Sequence, residues 1–271
     1  LCRTPSGQSR GNRTRSGSGL TPITTTQDKD GLVEPTARYE EIKIPLRDPA
    51  HGLEEVSGVL GIPEWWPTGS RVAVAIAHGS TGDMNDPVVE RLHRELTEHR
   101  YMALRFNFPF AEAGKRSSSD SMAVLESAYR SAVSVLGRDP SAAPAHLFVG
   151  GKGLGARVAA QLAASRLRAE GLFFLGFPLH TQDKPDQVQA EQLYRIISPM
   201  LFVQGTRDRQ CDIDTLRRTL QRVGAPTELV VAEEADQNFK VLKKSERTDE
   251  EVAEELVAAV KGWFARILGE G

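Results

Sequence analysis

The chain has 271 residues, 39% of them hydrophobic and 26% charged, and its 36 acidic and 34 basic side chains leave a net charge of -2. That balance gives no electrostatic basis for binding nucleic acid or an anionic membrane. Two cysteines, Cys2 and Cys211, cannot build a disulfide framework or a metal cluster, and no apolar run reaches transmembrane length. A cytoplasmic protein without metal or cofactor is the expectation.

Residues 1–38 read as a disordered tail, because they lack aromatic and periodic apolar content. Arg3, Arg10, Arg13 and Arg15 precede any acidic residue, a composition that an organellar transit segment shares. Residues 39–271 read as one domain. Two strands, Tyr39–Leu46 and Val56–Ile62, form a hairpin around turn residues Asp48-Pro49 and Gly52. Val72–Ala77 is apolar throughout, as in a strand buried on both faces. Val88, Leu92 and Leu96 mark a helix ending near Arg100, and Tyr101–Phe106 is a strand. Met122, Leu125, Tyr129, Val133 and Leu136 share one helical face. After the glycine-rich segment at 147–160, Gly171–Gly176 and Met200–Val203 are further buried strands. A helix over 212–223 then leads to the last strand, Thr227–Val231. Thr248 and Glu251 make a capping box for a final helix with an apolar stripe through Val252, Leu256, Val260, Trp263, Phe264 and Ile267, ended by Gly269. Trp65 and Trp66, flanked by Pro63 and Pro67, read as a clamp over the sheet edge. Strands alternating with helices predict an α/β fold with a mostly parallel eight-stranded sheet and helices on both faces.

Ligands of such sheets bind beyond the carboxyl ends of the strands. The segments that follow the strands are His78-Gly79-Ser80-Thr81-Gly82-Asp83-Met84-Asn85, Asn107-Phe108-Pro109-Phe110, Gly151-Lys152-Gly153-Leu154-Gly155 and Gln204-Gly205-Thr206-Arg207-Asp208. The third has the strand–turn–helix setting of a nucleophile elbow, G-x-S-x-G, with Gly153 where serine belongs.

Together these segments resemble the α/β-hydrolase superfamily, in its dienelactone-hydrolase-like branch, and are similar to the family of testis-expressed protein 30 and NSL-complex subunit 3. The resemblance covers about residues 40–268. It rests also on Arg105–Phe110 with Glu112, Gly114 and Arg116, and on Gly176-Phe177-Pro178-Leu179-His180 with Lys184-Pro185. It implies a triad in the order nucleophile, acid, histidine, which places the nucleophile at Gly153, the acid at Asp208 and the histidine at Gln237. His78, Gly79, Ser80 and Leu154 are implied as the oxyanion side, with Asn107, Pro109 and His180 lining the crevice. Asn107 and Pro109 read first as residues that shape a loop, and His180 equally suits a surface or turn position.

All six histidines precede Asp208, so no shift of alignment restores the triad. Glycine cannot attack, and glutamine cannot shuttle a proton, although its amide can donate to Asp208. Loss of nucleophile or base costs on the order of 10⁶ in turnover in a triad enzyme. The expectation is a degenerate hydrolase scaffold that holds a small ligand or a protein partner, with ester or lactone hydrolysis by unconventional residues as the alternative. Nucleotide binding is a weaker one: Gly151–Ala156 fits G-x-G-x-x-[GA], but the following strand ends without an acidic residue for a ribose. Cys211 reads as a small buried apolar residue.

Overall fold

A computed structural model describes residues 37–64, 71–138 and 143–270. The tail expected over 1–38 falls almost wholly outside these residues, as do Trp65, Trp66 and Pro67. Eight strands run in chain order as β1 (Arg38–Ala50), β2 (Leu53–Ile62), β3 (Val72–Ala77), β4 (Met102–Phe106), β5 (His146–Lys152), β6 (Gly171–Leu175), β7 (Met200–Gly205) and β8 (Thr227–Ala232). The helices are α1 (Pro87–Glu98), α2 (Pro109–Glu112), α3 (Met122–Leu136), α4 (Leu154–Ala164), α5 (Ile213–Leu220) and α6 (Asp249–Leu268). The strands form one sheet in the order β1-β2-β4-β3-β5-β6-β7-β8. Its β1/β2 and β2/β4 pairs are antiparallel, and every pair from β4/β3 onward is parallel.

Alternation along β3 divides the core between the two faces of the sheet. Ala73, Ala75 and Ala77 pack on the side covered by α3 and α4, with Leu216 and Leu220 of α5. Val72, Val74 and Ile76 pack on the side covered by α1 and α6. On that second face Phe264 stacks on Phe148 at 4.0 Å between ring centroids, and Trp263 crosses so close to Gly171 that a Cβ there would stand 2.5 Å from the indole. Register aligns the carboxyl ends of the central strands, with Ala77 opposite Gly151 and Lys152 opposite Leu175. The loops that follow them therefore gather at one edge.

Two features depart from the sequence expectation. The hairpin is longer, because β1 continues to Ala50 through a register shift after Pro45 and only His51-Gly52 turn the chain. Pro109 does not simply shape a loop: it opens α2, where its missing N–H costs nothing at a helix start. The Thr248–Glu251 capping box on α6 is present in both directions, and Gly269 closes the helix at φ 71°. No helix among the described residues is long and apolar enough to cross a membrane.

His93 of α1 is almost fully buried and directs Nε2–H to Ala103 O of β4 at 3.1 Å. Burial first, and the Arg105 charge second, lower its pKa from 6.5 to about 4. The folded chain thus keeps the ring neutral where the unfolded chain protonates it. The stability this confers is fully present above pH 6.5 and is lost as pH falls toward 4. The urea midpoint should drop across that window, and the drop should shrink in His93→Leu. At neutral pH, Phe264→Ala should cost about 3–5 kcal/mol and Thr248→Ala about 1 kcal/mol, read by urea unfolding.

Candidate functional site

Between β5 and α4 the chain reverses at Gly153, with φ 53° and ψ -111°. This left-handed backbone costs a residue with a Cβ about 1–3 kcal/mol. Gly153 N–H donates to Leu175 O at 2.9 Å, and Gly155 N–H to His78 O at 3.1 Å. The three glycines of the turn are required for different reasons. A Cβ on Gly151 would lie 2.3 Å from Ala77 O, and one on Gly155 2.5 Å from the same oxygen. A Cβ on Gly153 would meet only Gly79 Cα, at 3.9 Å. Residues 151 and 155 are glycine because there is no room, whereas 153 is glycine by backbone conformation alone. A side chain there would enter open space facing Gly79.

Gly79 follows the end of β3 and is the residue that a Cβ on Gly153 would meet, and Leu154 is the first residue of α4. The N–H groups of Gly79, Ser80 and Leu154 take part in none of the hydrogen bonds found among the described residues. The loop that carries Gly79 and Ser80 is tied down by many contacts. His78 is fully buried. Its Nε2 accepts the Phe108 N–H at 3.0 Å, so the proton is on Nδ1, which donates to Gly79 O at 2.9 Å. Burial lowers this ring to about 4, and with both nitrogens engaged it is a brace, not a proton carrier. Arg105 donates to Met84 O at 2.9 Å and Asn85 Oδ1 at 2.6 Å. Asn107 takes Met84 N–H on its Oδ1 at 2.9 Å and gives its amide to Glu112 at 2.9 Å. Its side chain is thus spent on the loop and is not offered to the crevice. Lys152, next to the elbow residue and 7% exposed in its side chain, pairs with Asp86 at 2.5 Å. The other oxygen of Asp86 caps α1 through the N–H groups of Val88 and Val89.

Asp208 follows β7 and is buried. Its Oδ2 accepts the Gln204 amide at 2.7 Å and its Oδ1 the Gln210 N–H at 2.8 Å. Burial pushes the carboxyl above its ordinary range. The two hydrogen bonds oppose that push, and the Asp236 charge adds to it. Gln237 is brought beside this group: the point where a Cβ of Gly176 would sit is 3.4 Å from Gln237 O and 3.7 Å from Asp208 Oδ2. Its turn is shaped by Asp236 Oδ1, which accepts from Asn238 and Lys240 N–H at 2.8 and 3.0 Å. Among the described hydrogen bonds, however, the amide on Asp208 belongs to Gln204 and none comes from Gln237.

His180 is buried and lies within electrostatic reach of Asp208. No hydrogen bond joins the two, and its Nδ1–H goes to Thr181 O at 3.0 Å. Cys211 is buried and unpaired, its thiol raised well beyond the ordinary range by burial and then by the Asp208 and Asp212 charges. It is therefore a poor nucleophile. No group of three His, Cys, Asp or Glu side chains that could hold a metal occurs among the described residues.

Gln204 and the Lys152–Asp86 pair escaped the sequence reading. The available signal was a polar side chain within a strand otherwise buried on both faces: Gln204 closes Met200-Leu201-Phe202-Val203-Gln204, and Lys152 ends β5. Such groups need partners.

Solved structures of the same architecture include a dienelactone hydrolase from Anabaena variabilis (TM-score 0.63, 16% identity, 83% of this chain and 98% of that one). An esterase from Pyrococcus furiosus has a TM-score of 0.67 at 17% identity, over 84% of this chain and 91% of that one. An α/β serine hydrolase without lid from Xanthomonas campestris has 0.61 at 22% identity, over 83% and 95%. At these identities the likeness is one of fold. Residues 70–265 match the family described as Alpha/beta hydrolase domain. That match spans most of the chain, which belongs to the alpha/beta hydrolase domain family.

Proposed function

We propose that this chain is a non-catalytic member of its family, a cytoplasmic scaffold that holds a small ligand at the emptied crevice. The observation that carries the reading is the turn at Gly153: the backbone keeps the reversal of a nucleophile elbow, and space for a side chain stands open where none is attached. Across the crevice Asp208 accepts two amide N–H groups and no imidazole among the described residues. Acyl transfer needs an attacking atom and a group that removes and returns its proton, and neither residue 153 nor residue 237 supplies one. The N–H groups of Gly79, Ser80 and Leu154, without acceptors among the described residues, would serve as an oxyanion-type site for water or an anion. Hydrolysis of a lactone or ester, the activity named for the Anabaena and Pyrococcus proteins, would need other groups. His78, Cys211 and Asn107 are each occupied or buried in ways that leave them unsuited. The similarity to the family of testis-expressed protein 30 supports the same placement of Asp208, Gly153 and Gln237.

Wild-type protein should remain unlabelled by a fluorophosphonate probe and inert toward short-chain esters and lactones. Gly153→Ser with Gln237→His should gain labelling and turnover at least about tenfold above either single change. Robust wild-type turnover that disappears in Asp208→Ala would overturn the reading. The steric argument is checked by thermal melting of two alanine variants. Gly153→Ala should fold with a loss of about 1–3 kcal/mol, whereas Gly155→Ala, whose methyl meets the Ala77 carbonyl, should lose several times more or fail to fold.

A further inference from the structure

A cavity of about 480 Å³, broadly open to solvent, lies between the loops after β6 and β7, the start of α5 and the end of β8. It takes in Asp208 and His180 but not Gly79, Gly153 or Leu154, so it is distinct from the oxyanion side of the crevice. Two of its polar lining groups, Asp208 and His180, are more than nine-tenths buried. Both have acceptor capacity, although each oxygen of Asp208 already takes one N–H, from Gln204 and Gln210. Asp208 has no ion-pair partner among the described residues. His180 spends its ring proton on Thr181 O, so in the neutral ring Nε2 carries a lone pair, and among the described residues nothing donates to it. A buried carboxylate beside a buried acceptor nitrogen is costly unless N–H donors, preferably cationic ones, face them.

The remaining charges of the wall are mostly committed. Asp214 pairs with Arg217 at 3.0 Å, and Asp212 caps α5 through Thr215 N–H at 2.8 Å. Glu233 adds negative charge at the β8 side. Arg209 is exposed and unpaired among the described residues, so its guanidinium is available to a carboxylate.

We propose that this cavity binds a small zwitterion of amino-acid type, its ammonium held by Asp208 and His180 Nε2 and its carboxylate by Arg209. The inference deepens the non-catalytic reading, since Asp208 acts as the counter-ion of a ligand in place of orienting an imidazole. The mixed charge of the wall favours a ligand carrying both signs over a simple anion or an apolar molecule, and about 480 Å³ accommodates a chain of several carbons.

The test titrates full-length protein with 5-aminovalerate, pentylamine and valerate, followed by calorimetry near neutral pH. 5-Aminovalerate should bind at least about tenfold more tightly than pentylamine, and valerate should not bind. Arg209→Ala should reduce 5-aminovalerate to the level of pentylamine, and Asp208→Asn should weaken both amines at least about tenfold. Valerate binding as tightly as the amines would overturn the proposal. So would silence of both amines up to about 10 mM, or unchanged affinity in Arg209→Ala, an exposed position whose variant should fold even where Asp208→Asn does not. Ester turnover by the wild type would sink the non-catalytic reading and leave these affinities to be judged separately.

Discussion

The carbonyl oxygen of Ala77 lies where side chains at residues 151 and 155 would have to go. This approach of β3 to the β5–α4 turn is the constraint on which the site depends. It forbids a Cβ at two positions, fixes the Gly155 N–H on His78 O, and so leaves residue 153 to make the reversal in a left-handed conformation. It also sets Gly79 opposite residue 153. The arrangement is a property of packed backbone, and no catalytic side chain takes part in it. Such a turn needs no side chain at residue 153, because packed backbone alone shapes it.

The same holds for the loop opposite. His78 staples the end of β3 to Phe108 after β4. Arg105 and Asn107 fasten that loop from β4, and Lys152 fastens the cap of α1 to the end of β5. These contacts bind β3, β4, β5 and α1 to each other as much as they aim Gly79 and Ser80. Removing one member of a buried pair such as Lys152–Asp86 strands a charge, which costs about 3–5 kcal/mol. Stability alone is thus sufficient reason for the order of the loop that follows β3. Its presence is no evidence of turnover.

The sequence made the fold readable because its signals are local. Continuous apolar runs marked β3, β6 and β7, the Thr248–Glu251 box marked the start of α6, and the glycine cluster at 150–155 marked the turn. Gly153 and Gln237, which the resemblance sets at the nucleophile and histidine places, were also legible, being identities at fixed places in a chain order. The partnerships were not. Which amide would reach Asp208 depends on Gln204, four residues earlier near the end of β7, and on the depth at which both are buried. Likewise, the role of Asn107 as a loop fastener depends on Met84 and Glu112, which lie on different elements. Periodicity reports which face a residue occupies and is silent on which distant polar group waits there.

Side chains at residues 153 and 237 have unequal physical consequences. A Cβ at residue 153 would strain the backbone, so glycine there favours the fold. An imidazole at residue 237 would offer a buried carboxylate a further donor, and a buried acceptor without a donor costs about 1–3 kcal/mol or more when charged. Gln204 and the Gln210 N–H meet part of that demand, and burial still holds the Asp208 carboxyl above its ordinary range. The residual demand is for positive charge near this carboxylate, in the space that His180 also lines. The surroundings of Asp208, more than the glycine turn, are therefore where a cationic group has most to gain by binding.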